Sequence, residues 1–264
     1  MTNSMKHLTS LLLLLFLAPI IIATVQTPLL SSESDEPKNE DTPLVYAAQL
    51  ETKPEIAEIV EPKKAFVYFT HSHEAYPPIL AAKGAKVDVY DSENNITSFQ
   101  DQISSQFAFH QVETEFLAER NPGVMDNYST IKPFVQAAIA NNEYDIILDL
   151  HRDTVKADIS TLQSGGESYA KLLFVIGTEH DNYKWNEQLA NDLSDQLNKI
   201  VPGISRGVLI KSRKDGNGVY NQDIAKNLLV VELGGVENTE QELNRSIAIL
   251  AKAVSNLFNQ QIPS

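Results

Sequence analysis

Asp145-Ile146-Ile147-Leu148-Asp149-Leu150-His151-Arg152-Asp153 passes without a break from an apolar run into imidazole, guanidinium and carboxylate groups. A short aliphatic run without polar alternation predicts a strand buried on both faces, as in parallel sheets covered by helices. The polar residues then fall at the strand's carboxyl end, where ligands collect in such sheets. The same order recurs twice. Ala65-Phe66-Val67-Tyr68-Phe69 leads into Thr70-His71-Ser72-His73-Glu74, and Leu228-Leu229-Val230-Val231 leads into Glu232-Leu233-Gly234-Gly235. Strand formation asks for none of these polar types, so one shared site at one edge of a sheet is the economical explanation.

Working outward, apolar runs rich in β-branched and aromatic residues predict strands over 65–70, 87–90, 145–150, 172–177, 208–210 and 228–232. Trp185, Leu189, Leu193 and Leu197 recur every four residues, and Leu243, Ile247, Leu250, Val254 and Phe258 recur at three or four, so each set predicts a helix with one apolar face. Thr239 and Glu242 stand at capping-box spacing, which starts the last helix just after the loop 234–238. Alternating strands and helices give an α/β fold, a mostly parallel sheet flanked by helices.

The N-terminus reads differently. Lys6 and His7 precede an apolar run over 11–25 broken only by Pro19 and Thr24, the pattern of a signal or membrane anchor over residues 1–25. Small residues at cleavage spacing are poorly formed around Ile21, Ala23 and Val25, which favours an uncleaved anchor. Residues 26–62 carry Pro28, Pro37, Pro43, Pro54 and Pro62 among Ser, Glu and Asp, the composition of a disordered acidic linker. Residues 63–264 are expected to form the folded domain that carries the strand-end clusters. The expected location is the cell membrane with that domain outside the cytoplasm, or the medium if the signal is cleaved.

A formal charge of −14 argues against nucleic acid as a partner, because phosphate contacts need clustered Lys and Arg. The chain has no cysteine, so any metal must be held by imidazole and carboxylate. Two imidazoles and one carboxylate make a three-ligand zinc site with a position left open, the pattern of catalytic zinc. His71, Glu74 and His151 are the candidate ligands for Zn2+. His73 is an alternative to His71, although in a continuing strand it faces the other way. His110, after Phe107-Ala108-Phe109, is a further candidate. Glu232 is the candidate general base toward the attacking water.

Arg152 is expected to hold a substrate carboxylate with its planar fork, or else to form a local ion pair with Asp153. Asp149 or Asp153 then orients a ligating imidazole. In the glycine-rich segment 217–222, Asn221 and Gln222 are the candidate substrate contacts. No nucleophile elbow, phosphate loop or dinucleotide fingerprint is present; Gly165-Gly166 and Gly216-Asn217-Gly218 lack the required context.

Four motifs in order, Thr70-His71-Ser72-His73-Glu74-Ala75-Tyr76, Asp149-Leu150-His151-Arg152-Asp153, Tyr220-Asn221-Gln222-Asp223 and Val231-Glu232-Leu233-Gly234-Gly235-Val236-Glu237-Asn238-Thr239, resemble those of the stage II sporulation protein P family. The stretches 166–177 and 202–207 between them add to the likeness, which spans roughly residues 65–258. The resemblance implies a zinc amidase-like fold. It implies hydrolysis of the amide between N-acetylmuramic acid and L-alanine in peptidoglycan, with cutting of peptide cross-links as an associated activity, during engulfment or wall remodelling. It matches His71, Glu74 and His151 to the zinc site and Glu232 to the catalytic glutamate, with His110 as the alternative to Glu74. Partners so implied are peptidoglycan, the membrane through the N-terminal segment, and other sporulation wall-remodelling proteins. The family usually carries a sizeable domain before the catalytic one, which the short linker here does not provide. A zinc carboxypeptidase-like peptidase and a wall-binding module without turnover are the alternative readings.

Overall fold

The computed structural model describes residues 61–118 and 127–260. The expected anchor and all of the linker except Glu61 and Pro62 lie outside the described residues. Among the described residues no helix is long and apolar enough to cross a membrane.

In chain order the elements are β1 (Lys63–Tyr68), α1 (Pro77–Ala82), a 3-10 turn (Ile96–Phe99), α2 (Gln100–Phe109), β2 (Val112–Phe116), α3 (Tyr128–Ile139), β3 (Ile146–Asp153), α4 (Ala157–Ser160), β4 (Thr161–Ser164), β5 (Glu167–Ala170), β6 (Leu172–Gly177), α5 (Tyr183–Ile200), β7 (Ser205–Lys211), β8 (Leu228–Gly235) and α6 (Glu240–Gln260). The main sheet has the order β2-β1-β3-β8-β6-β7, and β4 with β5 forms a separate hairpin. All pairs in the main sheet are parallel except β6 with β8. The mostly parallel sheet flanked by helices is therefore the architecture of the chain, with β6 and β7 reversed.

Alternation along the strands divides the interior in two. Ala65, Val67, Leu148, Leu150, Leu229, Val231, Leu172 and Phe174 face one side, where they meet Ile103 and Phe107 of α2, Leu193 and Leu197 of α5, and the apolar stripe of α6. Phe66, Tyr68, Ile147 and Leu228 face the other and meet Ile131 and Val135 of α3. That second face is covered by a helix of only 12 residues. The carboxyl ends of β1, β3 and β8 on this side are left for the site.

Two sequence expectations change here. Residues 87–90 are not a strand; Tyr90 makes only an isolated antiparallel bridge to Glu74, and Val87, Val89 and Tyr90 are exposed. Trp185 is exposed as well, with Lys226 Nζ 4.8 Å from its ring centroid, while Asn186 is buried and donates to the carbonyls of Ala225, Lys226 and Leu228. The capping box holds: Thr239 N–H donates to Glu242 Oε2 at 2.9 Å and Glu242 N–H to Thr239 Oγ1 at 3.4 Å.

Candidate metal centre

After β1 the chain does not continue as a strand but turns at residues 70–73, with Glu74 N–H donating to His71 O at 3.1 Å. The turn brings two side chains three residues apart to one place. Loop 89–96 fixes it from outside, since Ala75 N–H donates to Val89 O and Ile96 N–H to Glu74 O. His151 arrives from β3, on the face that also carries Asp149. Donor atoms of His71, Glu74 and His151 all lie within 4.8 Å of one another. The two imidazoles meet edge to face with centroids 4.8 Å apart.

Glu74 offers one oxygen to each ring: Oε1 lies 3.3 Å from His71 Nδ1 and Oε2 lies 3.8 Å from His151 Nδ1. Oε2 also accepts from Arg152 N–H at 2.6 Å. Burial by itself raises this carboxyl. Hydrogen bonding to both imidazoles, the charge of His151 and the Arg152 amide outweigh it and hold the group at about 2. His151 Nε2 lies 3.1 Å from Asp149 Oδ1. Asp149 in turn accepts from Thr70 N–H at 2.9 Å and from the Thr70 hydroxyl at 2.7 Å. Burial disfavours the charged His151 ring, but Asp149 and then Glu74 outweigh it and raise the imidazole well above its ordinary value. Asp149 therefore fixes which ring nitrogen points to the cluster, the task expected of it or of Asp153.

Glu232 pairs with His151 in the register of β3 and β8 and so shares its face. Its Oε2 is buried without a hydrogen-bond partner among the described residues. Burial lifts its carboxyl to about 7; Glu74 and Asp153 add to the rise, and His151 and Arg152 oppose it. The neighbouring loop is capped instead by Asn238, whose Oδ1 accepts from Gly235 N–H at 2.7 Å. Glu232 thus takes no part in capping the loop.

His110 is not brought to this site. The pairing of Lys63 with Val112 sets residues 110–112 beside the start of β1, whereas His71 follows its end. His110 lines a separate cavity with Lys63, Ser255 and Phe258.

Arg152 departs from expectation. It is 2% exposed, and its guanidinium donates to Val89 O at 2.8 Å and Asp153 O at 3.3 Å. Alternation along β3 turns it away from the face of His151, so no fork is presented to a substrate there. The carboxylate of Asp153 does not pair with Arg152; it meets Arg206 Nη1 at 2.6 Å.

Asn221 and Gln222 are likewise engaged with the protein's own backbone. Gln222 is fully buried, accepts from Gly177 N–H and donates to Val175 O, both at 2.8 Å. Asn221 donates to Tyr128 O at 2.8 Å. These contacts tie Gln222 to β6 and Asn221 to the start of α3.

Tyr128 was not singled out by any motif. It opens α3 and stacks on His151 with centroids 5.9 Å apart, and its hydroxyl lies 3.5 Å from His151 Nε2. Tyr220 closes over it edge to face at 5.3 Å. An isolated Tyr at a helix start gives no signal; only the fold brings it over the imidazole.

The donor set fits a metal ion such as zinc: two imidazoles and a carboxylate, one imidazole oriented by a carboxylate behind it, and His71 partly exposed on the remaining side.

A family model for Stage II sporulation protein P (SpoIIP) matches residues 24–255. The curated Stage II sporulation protein P of Bacillus subtilis (strain 168) is 31% identical over 205 residues, covering 74% of this chain and 51% of that protein. The chain thus spans about half the length of that relative. Among solved structures, the CwlD amidase from Clostridioides difficile in complex with the GerS lipoprotein is similar at a TM-score of 0.50 and 11% identity, over 75% of this chain and 100% of that one. The N-acetylmuramyl-L-alanine amidase Ami1 from Mycobacterium smegmatis aligns over 75% of this chain and 98% of its own, at a TM-score of 0.46 and 12% identity. At 11% identity the likeness to CwlD is one of fold. The family model, by contrast, runs through all the elements that build the cluster, and the chain belongs to the stage II sporulation protein P family.

Proposed function

We propose that this chain is a zinc-dependent peptidoglycan hydrolase that cleaves the amide between N-acetylmuramic acid and the L-alanine of the stem peptide. We assign its action to sporulation, with the catalytic domain held outside the cytoplasm by residues 1–25. Family membership and the amidase fold support the substrate class. The observation that carries the chemistry is the donor cluster of His71, Glu74 and His151 beside Glu232, whose Oε2 is buried without a hydrogen-bond partner among the described residues.

His71, Glu74 and His151 would hold the metal, which when bound would supply Lewis-acid chemistry and lower the pKa of water toward neutral. Asp149, fixed by Thr70, keeps the His151 ring in place so that its Nδ1 faces the cluster. Glu232 takes the proton of the attacking water and returns it to the departing amine. A carboxyl at about 7 suits both halves of that task, because it holds and releases a proton with similar ease near neutral pH.

Digestion of purified cell wall by the full chain, with and without chelator, tests the reading. Release of intact stem peptides that stops on chelation and returns with zinc is the expected result. Trimming of C-terminal residues alone would make it a carboxypeptidase, and wall binding without product would make it a binding module.

A further inference from the structure

On the face that carries the cluster, one row of side chains crosses four strands. His151 on β3 pairs with Glu232 on β8, and Glu232 pairs with Leu173 on β6. β7 continues the row with an irregularity: Ser205 pairs with Leu172 and Val208 with Phe174, so Arg206 and Gly207 together oppose Leu173. Ser205 faces the other side, where its hydroxyl meets that of Ser194 in α5 at 2.7 Å, and Val208 packs into the core of that side. Arg206 is left on the face of Glu232 and His151.

From there the guanidinium reaches back to the end of β3. Its Nη1 lies 2.6 Å from Asp153 Oδ2, and both side chains are 16% exposed. Asp153 stands two residues beyond His151, about 7 Å along a strand. Leu173, 7% exposed, is the floor between Arg206 and Glu232. A guanidinium fork tied at one nitrogen to a carboxylate is held in one orientation while its remaining N–H groups stay directed elsewhere. In a chain of net charge −14, an anionic ligand needs such a local cation.

We propose that Arg206, positioned by Asp153, binds a carboxylate on the peptide side of the scissile amide. This rests on the amide-hydrolase reading and names what that site recognises. An extended peptide advances about 3.3 Å per residue, so a carboxylate one or two residues from the reacting carbonyl comes within reach of the guanidinium. Of the two halves joined by the scissile amide, the N-acetylated sugar is neutral and the stem peptide carries carboxylates. The Arg206 subsite therefore sets the direction in which substrate lies across the sheet, from the cluster toward β7.

The test measures binding without turnover. Chelated full-length protein is titrated by calorimetry with an N-acyl-L-alanyl dipeptide bearing a free carboxylate, and with the same peptide as its carboxamide. Wild type should prefer the acid by on the order of tenfold to a hundredfold, the worth of a charged hydrogen bond. Arg206→Ala should abolish that preference. Arg206→Lys, which keeps the charge beside Asp153 but not the fork, should reduce it and carries the test if the alanine variant does not fold. Retention of the full preference in the variants, or its absence in wild type, overturns the proposal. On the zinc-loaded protein, the loss in Arg206→Ala should appear in KM for the acid substrate. Stem-peptide release from wall with an unchanged acid preference in the variants keeps the hydrolase reading and refutes Arg206. An Arg206-dependent preference without release does the reverse.

Discussion

Glu232 stands next to His151 on the adjacent strand, on the same face, and its Oε2 is buried with no hydrogen-bond partner among the described residues. A carboxylate so placed costs stability in the absence of a partner, which points to a role in chemistry.

Glu232→Gln keeps the shape and removes proton transfer. The variant should fold and retain zinc while losing on the order of 10² to 10⁴ in rate of amide cleavage. Zinc content, melting temperature and stem-peptide release measured together check this. A folded, zinc-loaded variant with near-normal turnover would refute the general-base assignment.

The metal-free protein should carry an opposite pH signature on its two carboxyls. Glu232 is raised to about 7 in the folded state, so its contribution is fully present below its ordinary value near 4.5 and declines as pH rises to 7. Glu74 is lowered to about 2, so its contribution is present above 4.5 and is lost as pH falls toward 2. Thermal melts of chelated wild type and Glu232→Gln across this range should diverge between pH 4.5 and 7, with the glutamine variant gaining relative stability. Parallel curves would contradict the raised carboxyl.

Asp149→Asn takes from His151 and Thr70 a carboxylate that accepts from both. Zinc affinity should fall on the order of 10- to 100-fold with the three ligands intact. Competition with a chromogenic chelator reads this directly, and an unchanged affinity would remove Asp149 from the metal site.

Gln222→Ala leaves a backbone N–H at Gly177 and a carbonyl at Val175 without their buried partner. A loss of about 1–3 kcal/mol in denaturant unfolding is expected. A variant of wild-type stability with a raised KM would instead return Gln222 to the substrate contacts read from the sequence.

Much of the site was legible because its residues follow strands whose apolar runs are unambiguous, as in Ile146-Ile147-Leu148. What escaped the sequence has physical reasons. β2, Val-Glu-Thr-Glu-Phe, is a half-exposed edge strand with two acidic residues, so it shows no apolar run. The hairpin of β4 and β5 turns on Gly165 and Gly166, both at positive φ, between strands of four residues each. Residues 87–90 have strand composition but pack beside Arg152 as a loop, since β propensity reports half-buried surface and not pairing. The Arg152–Asp153 pair looked like neighbours in sequence; pleating sends them to opposite faces, and Asp153 meets a residue 53 positions away. The reversal of β6 and β7 left no mark in composition, so Arg206, although it lies in the stretch 202–207 that adds to the family likeness, was given no role.

That reversal inverts which connections matter. For β1, β3 and β8 the site lies where strands finish, but for β6 and β7 it lies where they begin. The short turn over 201–204, which feeds β7, therefore acts as a ruler: Ile204 O accepts from Leu172 N–H, and Gly203 at φ +88 closes the bend. A one-residue slip of β7 against β6 would swing Arg206 to the opposite side of the sheet. Length changes after Lys211, at the far edge, would leave that setting alone, so natural variation in loop length should be tolerated behind β7 and rare in front of it.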